Sequence, residues 1–479
     1  VVSLSVVDCG ADGCYPLPQL LSSMTGVLAV GLAGGQVMLM DLCRTTCDEG
    51  LSVGSSAELR DELHACHLLP ISVQETDQET LEYKRVHAAR SGDHLCVVLN
   101  ETFLADKTFL LPLPDGNTFS LQRRRVDVTA LMYIPRIASV VVGFSFGSFQ
   151  IWNLMQLTLE YISPTMQDPL PVVSFGFQEP CDDPRNFCYL WAVHGSSVAF
   201  RNRLPFAVMY ALCYKSKEWV DGYGYLYQDF VSCTHRFEFD LTGDESSAVS
   251  VGGRSVACHT INKLSPATAR KDSPRADLDD MILVNAVLGV PESDLSLCLF
   301  VWEAWGSNGP GSTCMSLFDL NQWYKEQMPG RILKGQVSTY MTVFSLDEVV
   351  EATSNSALSA NPLLDVRVDP ASLSQFTAVQ SLEEHFYPSA LSFESLSLLG
   401  EELVVVNHPG VQRDVLSQLE KSGPAALLQP TKLFHHCITI GLKPVYTEIN
   451  NAFTCPVVSA DDCNYRNFIL FILLRKHKV

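Results

Sequence analysis

The chain has 479 residues, 47% apolar and 18% charged, enough apolar material for a packed core and a composition that excludes disorder. Its formal charge of -20, from 53 acids against 33 bases, opposes any phosphate backbone, so direct DNA or RNA binding by this chain is not expected. Sixteen cysteines are scattered, several within apolar runs (Cys96, Cys188, Cys298), which reads as buried free thiols in a reducing compartment rather than a disulfide framework. The longest unbroken apolar run, Phe206 to Tyr214, falls far short of the roughly 20 residues a membrane helix needs. No basic segment opens the chain as a secretory signal would.

Short runs rich in Val, Phe and Tyr alternate with Gly, Pro, Asp and Asn, the punctuation of strands and turns. The series opens at Val27–Cys43: a strand, a Gly-bounded turn, and a second strand with Val37 and Leu39 at period two. Gly31, Gly34 and Gly35 lack dinucleotide-loop spacing and no helix follows them, so a hairpin is expected. Cys43 and Cys47, with His64, Cys66 and His67 downstream, are zinc-type ligands, but their spacing does not converge four of them tetrahedrally, and no metal is assigned. The triplet Arg123 to Arg125 reads as a solvated turn.

Ser139–Met155 repeats Val27–Cys43 without a gap. Val30 and Val142, Gly31 and Gly143, Gly35 and Gly147, and Leu42 and Leu154 are identical, while Asp41 faces Asn153 and Met40 faces Trp152. Within this copy, Gly143 to Gly147 fits G-x-S-x-G, the nucleophile elbow of serine hydrolases, with Ser145 as nucleophile. An elbow leads into a helix. Here Phe149 to Trp152 alternates as a strand, and the first copy carries Ala33 in the place of Ser145. Asp182 and Asp183 pair two carboxylates, but Asp-Pro and Asn between strands are simpler as turn chemistry. Arg185–Val193 then reads as a strong strand, with Trp152 and Trp191 as expected core.

A third, weaker copy spans Leu297–Leu320, where Phe318, Asp319 and Leu320 take the slots of Met40, Asp41 and Leu42. Loops are expected at Asp240–Ser250 and Lys271–Asp280. Leu320–Met328 reads as a short helix on a loop. A second helix falls within His408–Pro424, where Val411, Val415 and Leu419 share one face and Gly423-Pro424 ends the run. His435, His436 and Cys437 read as a strand-end cluster, and the stretch after Thr447 fits neither period. Hairpins repeatedly ending in an aromatic or Met, then Asp or Asn, then Leu are the pattern of propeller blades. The expected fold is an all-β, WD40-like β-propeller over residues 1–446 with a few short helices in loops, followed by an atypical tail over 447–479.

Several strings resemble the N-terminal β-propeller of the nucleoporin ELYS family: Val140–Ile162, Phe175–Val193, Phe239–Gly243, Phe300–Trp302 with Leu317–Pro329, and Leu419–Pro424. The resemblance covers roughly Val27 to Tyr446. Its most specific parts are FQEPxxDPRNxCYLWAV and LFDLNQWYxxQMP. It implies a seven-bladed propeller, short or incomplete at its N-terminal blade, with no catalysis and no cofactor. It implies a scaffold that helps target its protein to the nuclear pore during post-mitotic pore assembly, at the nuclear envelope and at kinetochores. The implied partners are other nucleoporins, above all the Y-shaped scaffold subcomplex. Chromatin contact in the family lies in an AT-hook tail, and this sequence carries no Arg-Gly-Arg-Pro hook; no membrane insertion is implied. Aromatic and Arg side chains concentrate binding energy at interfaces, which makes Trp323 and Tyr324 on the short helix, and Arg185 in the DPRN turn, the candidate partner contacts. The alternatives are a serine hydrolase using Ser145 and a propeller scaffold of another complex.

Overall fold

The computed structural model describes residues 3–7, 27–33, 35–41, 67–70, 86–91, 94–99, 108–112, 118–122, 126–164, 170–181, 185–195, 204–220, 224–242, 250–263, 295–306, 312–327, 340–347, 362–375 and 388–423, with single residues at 425, 433, 436, 437 and 440. Antiparallel sheets dominate them. The first sheet joins β1 (Ser3–Val7), β2 (Val27–Gly31), β3 (Val37–Asp41), β4 (His67–Pro70), β5 (Val86–Ser91) and β6 (His94–Leu99) in the order β1-β2-β3-β6-β5-β4. It exceeds the four strands of a blade because β3 pairs with β6 along its free edge, and β5 and β4 follow. A separate hairpin pairs β7 (Thr108–Pro112) with β8 (Thr118–Gln122).

Three four-stranded meanders follow, each in strict chain order. The first holds β9 (Val128–Ile134), β10 (Ser139–Phe144), β11 (Phe149–Asn153) and β12 (Thr158–Ile162). The second holds β13 (Val172–Gln178), β14 (Phe187–His194), β15 (Phe206–Val220) and β16 (Gly224–Asp240). The third holds β17 (Ser250–Lys263), β18 (Leu295–Gly306), β19 (Ser312–Asp319) and β20 (Met341–Ser345). In the last sheet, β21 (Leu363–Val368) and β22 (Ser374–Gln375) pair with β23 (Leu391–Leu399), which also pairs with β24 (Glu402–His408). The leading strands pack side by side in the sequence β1, β9, β13, β17, β21. Meanders set side by side through their first strands are the architecture of a β-propeller.

The two repeat copies fold alike, residue for residue. Val27 pairs with Asp41 and Gly31 with Val37; in the second copy Ser139 pairs with Asn153 and Gly143 with Phe149. Gly35 and Gly147 both turn at φ 80°, a left-handed conformation that favours glycine. The other shared glycine has one cause in both places. A Cβ on Gly31 would meet Val128 Cγ1 at 2.5 Å, and one on Gly143 would meet Val172 Cβ at 2.8 Å. Val128 and Val172 open the leading strands of the next meanders, so each glycine lets the neighbouring blade close in.

The core lies between meanders. Trp191, fully buried, is ringed edge-on by Phe237 and Phe239 of its own blade and by Phe300 and Phe318 of the next, with centroids 4.9–6.2 Å away. Trp152 is also fully buried, its indole N–H donating to Gln150 Oε1. Both expected helices form. Helix α1 (Leu320–Glu326) starts at Asp319, whose carboxylate accepts the Gln322 N–H at 3.0 Å, and α2 spans Val411–Ser422 with Val415 and Leu419 buried. Cys43, Cys47, His64, Cys66, Arg123 to Arg125, Asp182, Asp183, His435, the loop Lys271–Asp280 and the tail from 447 lie outside the described residues. Among the described residues no group of His, Cys, Asp and Glu is arranged to hold a metal ion, and no helix is long and apolar enough to cross a membrane.

Candidate partner-binding site

The three candidate contacts come together on one face of the second and third meanders. β19 ends at Asp319 and runs directly into α1, which lays Trp323 and Tyr324 against the neighbouring blade. Trp323 meets the Tyr189 ring edge-on at 5.8 Å, across the meander boundary. Arg185 stands at the start of β14, its guanidinium carbon 4.8 Å from the Tyr324 ring centre and 5.2 Å from that of Phe187. Its Nη2 also donates to the Tyr189 hydroxyl at 3.3 Å. Arg236 on β16 lies 5.5 Å from the same Phe187 ring. Arginine over aromatic faces is a stable arrangement.

The three differ in what they offer a partner. Trp323 and Tyr324 are only 6% and 7% exposed, so they hold α1 to its neighbour, whereas Arg185 is exposed. The turn leading to β14 is tied to α1 as well, through the Cys181 N–H donating to Asn321 Oδ1 at 3.0 Å. Arg185 therefore tops a floor built from both blades.

A second feature of this face was not among the sequence candidates. β14 pairs with β15 only from Phe206 to Cys213, yet β15 continues to Val220. Tyr214 is still tied to the chain ahead of β14, its N–H donating to Asn186 O at 3.1 Å, and beyond it Ser216–Val220 pairs with Gly224–Gln228 of β16. The base of this arm is anchored. Leu226 and Tyr227 are buried, and the Tyr227 hydroxyl donates to Glu179 at 2.7 Å. The other Glu179 oxygen lies 3.4 Å from Arg136, in the turn after β9. Burial, then the Glu179 carboxylate, hold the Tyr227 phenol far above its ordinary pKa, so it stays a donor. Nearer the tip, Trp219 and Tyr225 pair across the strands with rings 4.9 Å apart, and they are 48% and 42% exposed. The Lys217 ammonium sits 3.9 Å over the Tyr225 ring. The available signal was Asp221-Gly222, a hairpin-turn pair set between alternating aromatics.

Ser145 sits in a tight turn between two strands. Its hydroxyl accepts the Asp127 N–H at 3.0 Å, its own N–H donates to Asp127 O at 2.9 Å, and β11 follows directly. A strand-to-helix elbow is not what this segment builds. Cys188 is fully buried and its thiol is pushed well up by desolvation, the opposite of a reactive thiolate.

Sequential antiparallel meanders packed through their leading strands define an all-β, propeller-type protein. The family described as the beta-propeller of ELYS nucleoporin matches residues 6–405, and the chain belongs to it. Protein ELYS of Xenopus laevis is 30% identical over 446 residues, covering 90% of this chain and 16% of that protein. Protein ELYS of Homo sapiens is 28% identical over 434 residues, covering 88% and 17%. Protein mel-28 of Caenorhabditis elegans is 23% identical over 399 residues, covering 79% and 20%. The chain thus spans between 16% and 20% of the length of these relatives. The family match reaches further toward the N-terminus than the motifs did, starting within β1, and ends within β24.

Proposed function

We propose that this chain is the propeller of an ELYS-like nucleoporin: a non-catalytic scaffold that helps bring its protein to the nuclear pore during post-mitotic assembly. The reading rests on the family match over residues 6–405. Its partners are other nucleoporins, with the Y-shaped scaffold subcomplex first among them. Its sites of action are the nuclear envelope and the kinetochore. The propeller runs over 1–446 as seven blades, with 447–479 as a separate tail. The net charge of -20 supports a role without direct nucleic-acid contact through this segment, and neither membrane insertion nor a cofactor belongs to the reading.

Arg185, over the rings of Tyr324 and Phe187 and with Trp323 fixing α1 against Tyr189, is a partner contact on this reading. A cation on a rigid aromatic floor loses little freedom on binding, the property that makes Arg and aromatic residues interface hot spots. The hydrolase alternative is not favoured, because the Ser145 hydroxyl is engaged by the Asp127 backbone in a strand–turn–strand.

The test is a fluorescent fusion of the full chain in cells leaving mitosis. Rim enrichment at the reforming envelope is expected, weakened in Arg185→Ala while the chain remains folded at the assay temperature. Diffuse signal from a folded wild-type chain contradicts the pore reading.

A further inference from the structure

We infer that the open edge of β24 is a self-association surface, where β24 of one chain pairs antiparallel with β24 of a second copy about a two-fold axis at Val405. The inference goes beyond the pore reading and does not depend on it.

Each of the three meanders runs to a fourth strand, whereas the last sheet stops at β24. β21 and β22 lie on one side of β23 and β24 on the other, and among the described residues no strand pairs with the far side of β24. Leu399 and Glu402 flank a two-residue turn with Gly400 at φ 59°, so they form a hydrogen-bonded pair, as do Ser397 with Val404 and Ser395 with Val406. The Asp369 N–H, just past β21, donates to Glu394 O on the other side of β23, which fixes the same alternation. The backbone groups of Leu403, Val405 and Asn407 therefore point out from the open edge. Their side chains share one face, and Leu403 and Val405, at 64% and 60%, are the most exposed large apolar side chains among the described residues. Val404 faces the other way and packs onto the core. Protected edges carry a lysine, a proline or a bulge. β24 has no Lys or Pro, and its ladder with β23 runs without a register shift.

A second copy answers this edge at every position. With Val405 opposite Val405, Leu403 faces Asn407, so each outward-pointing residue meets another and exchanges both backbone hydrogen bonds. Val404 then lies opposite Val406, and Glu402 opposite His408, with no like charges opposed. The two Glu402 carboxylates fall roughly 20 Å apart, well beyond the screening length of about 10 Å at 0.1 M salt. A patch that complements itself is what a two-fold interface requires. A strand of an unrelated protein would find the same backbone groups but nothing further to select it, since Glu402 is the sole acid or base on β24 apart from the buried His408. The charge of -20 on each copy opposes approach, so backbone and apolar contacts carry the association and salt favours it.

Sedimentation equilibrium of the full chain over about 1–100 μM tests this, with circular dichroism recorded for every variant. A monomer–dimer equilibrium is expected, tightening between about 0.05 and 0.5 M salt. Val405→Lys sets two ammonium groups against each other at the axis and is expected to raise the dissociation constant at least about tenfold with the fold intact. Leu403→Lys is expected to weaken the dimer, and Leu403→Lys with Asn407→Glu to restore it, because the new charges meet across the axis. Should Val405→Lys not fold, the 403 and 407 variants decide alone. A chain that stays monomeric throughout overturns the proposal, as does a dimer that folded Val405→Lys leaves intact. A double variant no tighter than Leu403→Lys overturns the register and with it the proposal. Weakening with salt would place the contact on charged surfaces elsewhere and overturns it as well.

Discussion

The two halves of the β15–β16 hairpin are made of similar residues and do opposite things. In the inner half, Phe237 and Phe239 close on Trp191 of β14, and the indole has no exposed surface. In the outer half, Trp219 and Tyr225 make a still closer edge-on pair, at 4.9 Å, and stay half exposed. The difference is in the neighbours. The inner half faces β18 and β19 across a blade boundary, whereas the outer half has run past the last residue of β14 that pairs with it. The same aromatic chemistry becomes core where a second sheet covers it, and stays half exposed where β14 no longer runs alongside.

The comparison breaks most severely at Trp191. Trp191→Ala removes the indole from a ring of four phenylalanines and is expected to cost about 3–5 kcal/mol, read as a large drop in the urea midpoint. Trp219→Ala should move the midpoint within about 0.5 kcal/mol, the range of ordinary surface changes. If the two cost the same, the outer half is core as well.

Acid sharpens the contrast from the second blade's other end. His194 is fully buried, stacked on Phe206 at 4.5 Å, and its Nδ1 meets Leu170 O at 3.1 Å. Its Nε2 has no hydrogen-bond partner among the described residues. Burial lowers its pKa to about 4, against roughly 6.5 in an unfolded chain. Between those values the unfolded state binds a proton that the folded state refuses. The stabilisation is therefore complete above pH 6.5 and declines as pH falls toward 4, by about 3 kcal/mol. His408, buried against Phe393, is lowered to about 4 and acts in the same direction. Urea titrations between pH 7 and 4 should show this slope, and His194→Phe should reduce it, leaving the His408 share.

A smaller loss than at Trp191 is expected at the blade contact itself. Gly143→Ala places a methyl 2.8 Å from Val172 Cβ, and overpacking of that kind costs about 1–3 kcal/mol. An unchanged midpoint in Gly143→Ala would mean that the blades do not pack through this position.

Much of this was legible before the structure. The gapless alignment of Val27–Cys43 with Ser139–Met155 carries strand ends, register and turn, because a hairpin's register follows from its turn and its alternation. The period of Val411, Val415 and Leu419 marks α2, since a helix face is local. What escaped was non-local. The apolar run Phe206–Tyr214 ends in sequence where polar residues begin, yet the strand continues six residues further, from Lys215 to Val220, along β16. Trp323 and Tyr324 look like surface aromatics on a polar helix, and only the arrival of Tyr189 and Arg185 from another blade explains their burial. The six-stranded first sheet depends on β3 pairing with a strand that follows two others in the chain, a choice no local pattern encodes.

The central claim is that this face of the molecule divides into a covered half that stabilises the fold and an overhanging half that contributes less to it. Amide hydrogen exchange on the full chain tests it most directly. The account predicts slow exchange over Tyr189–His194 and faster exchange over Ser216–Val220. Equal protection in the two stretches would contradict it.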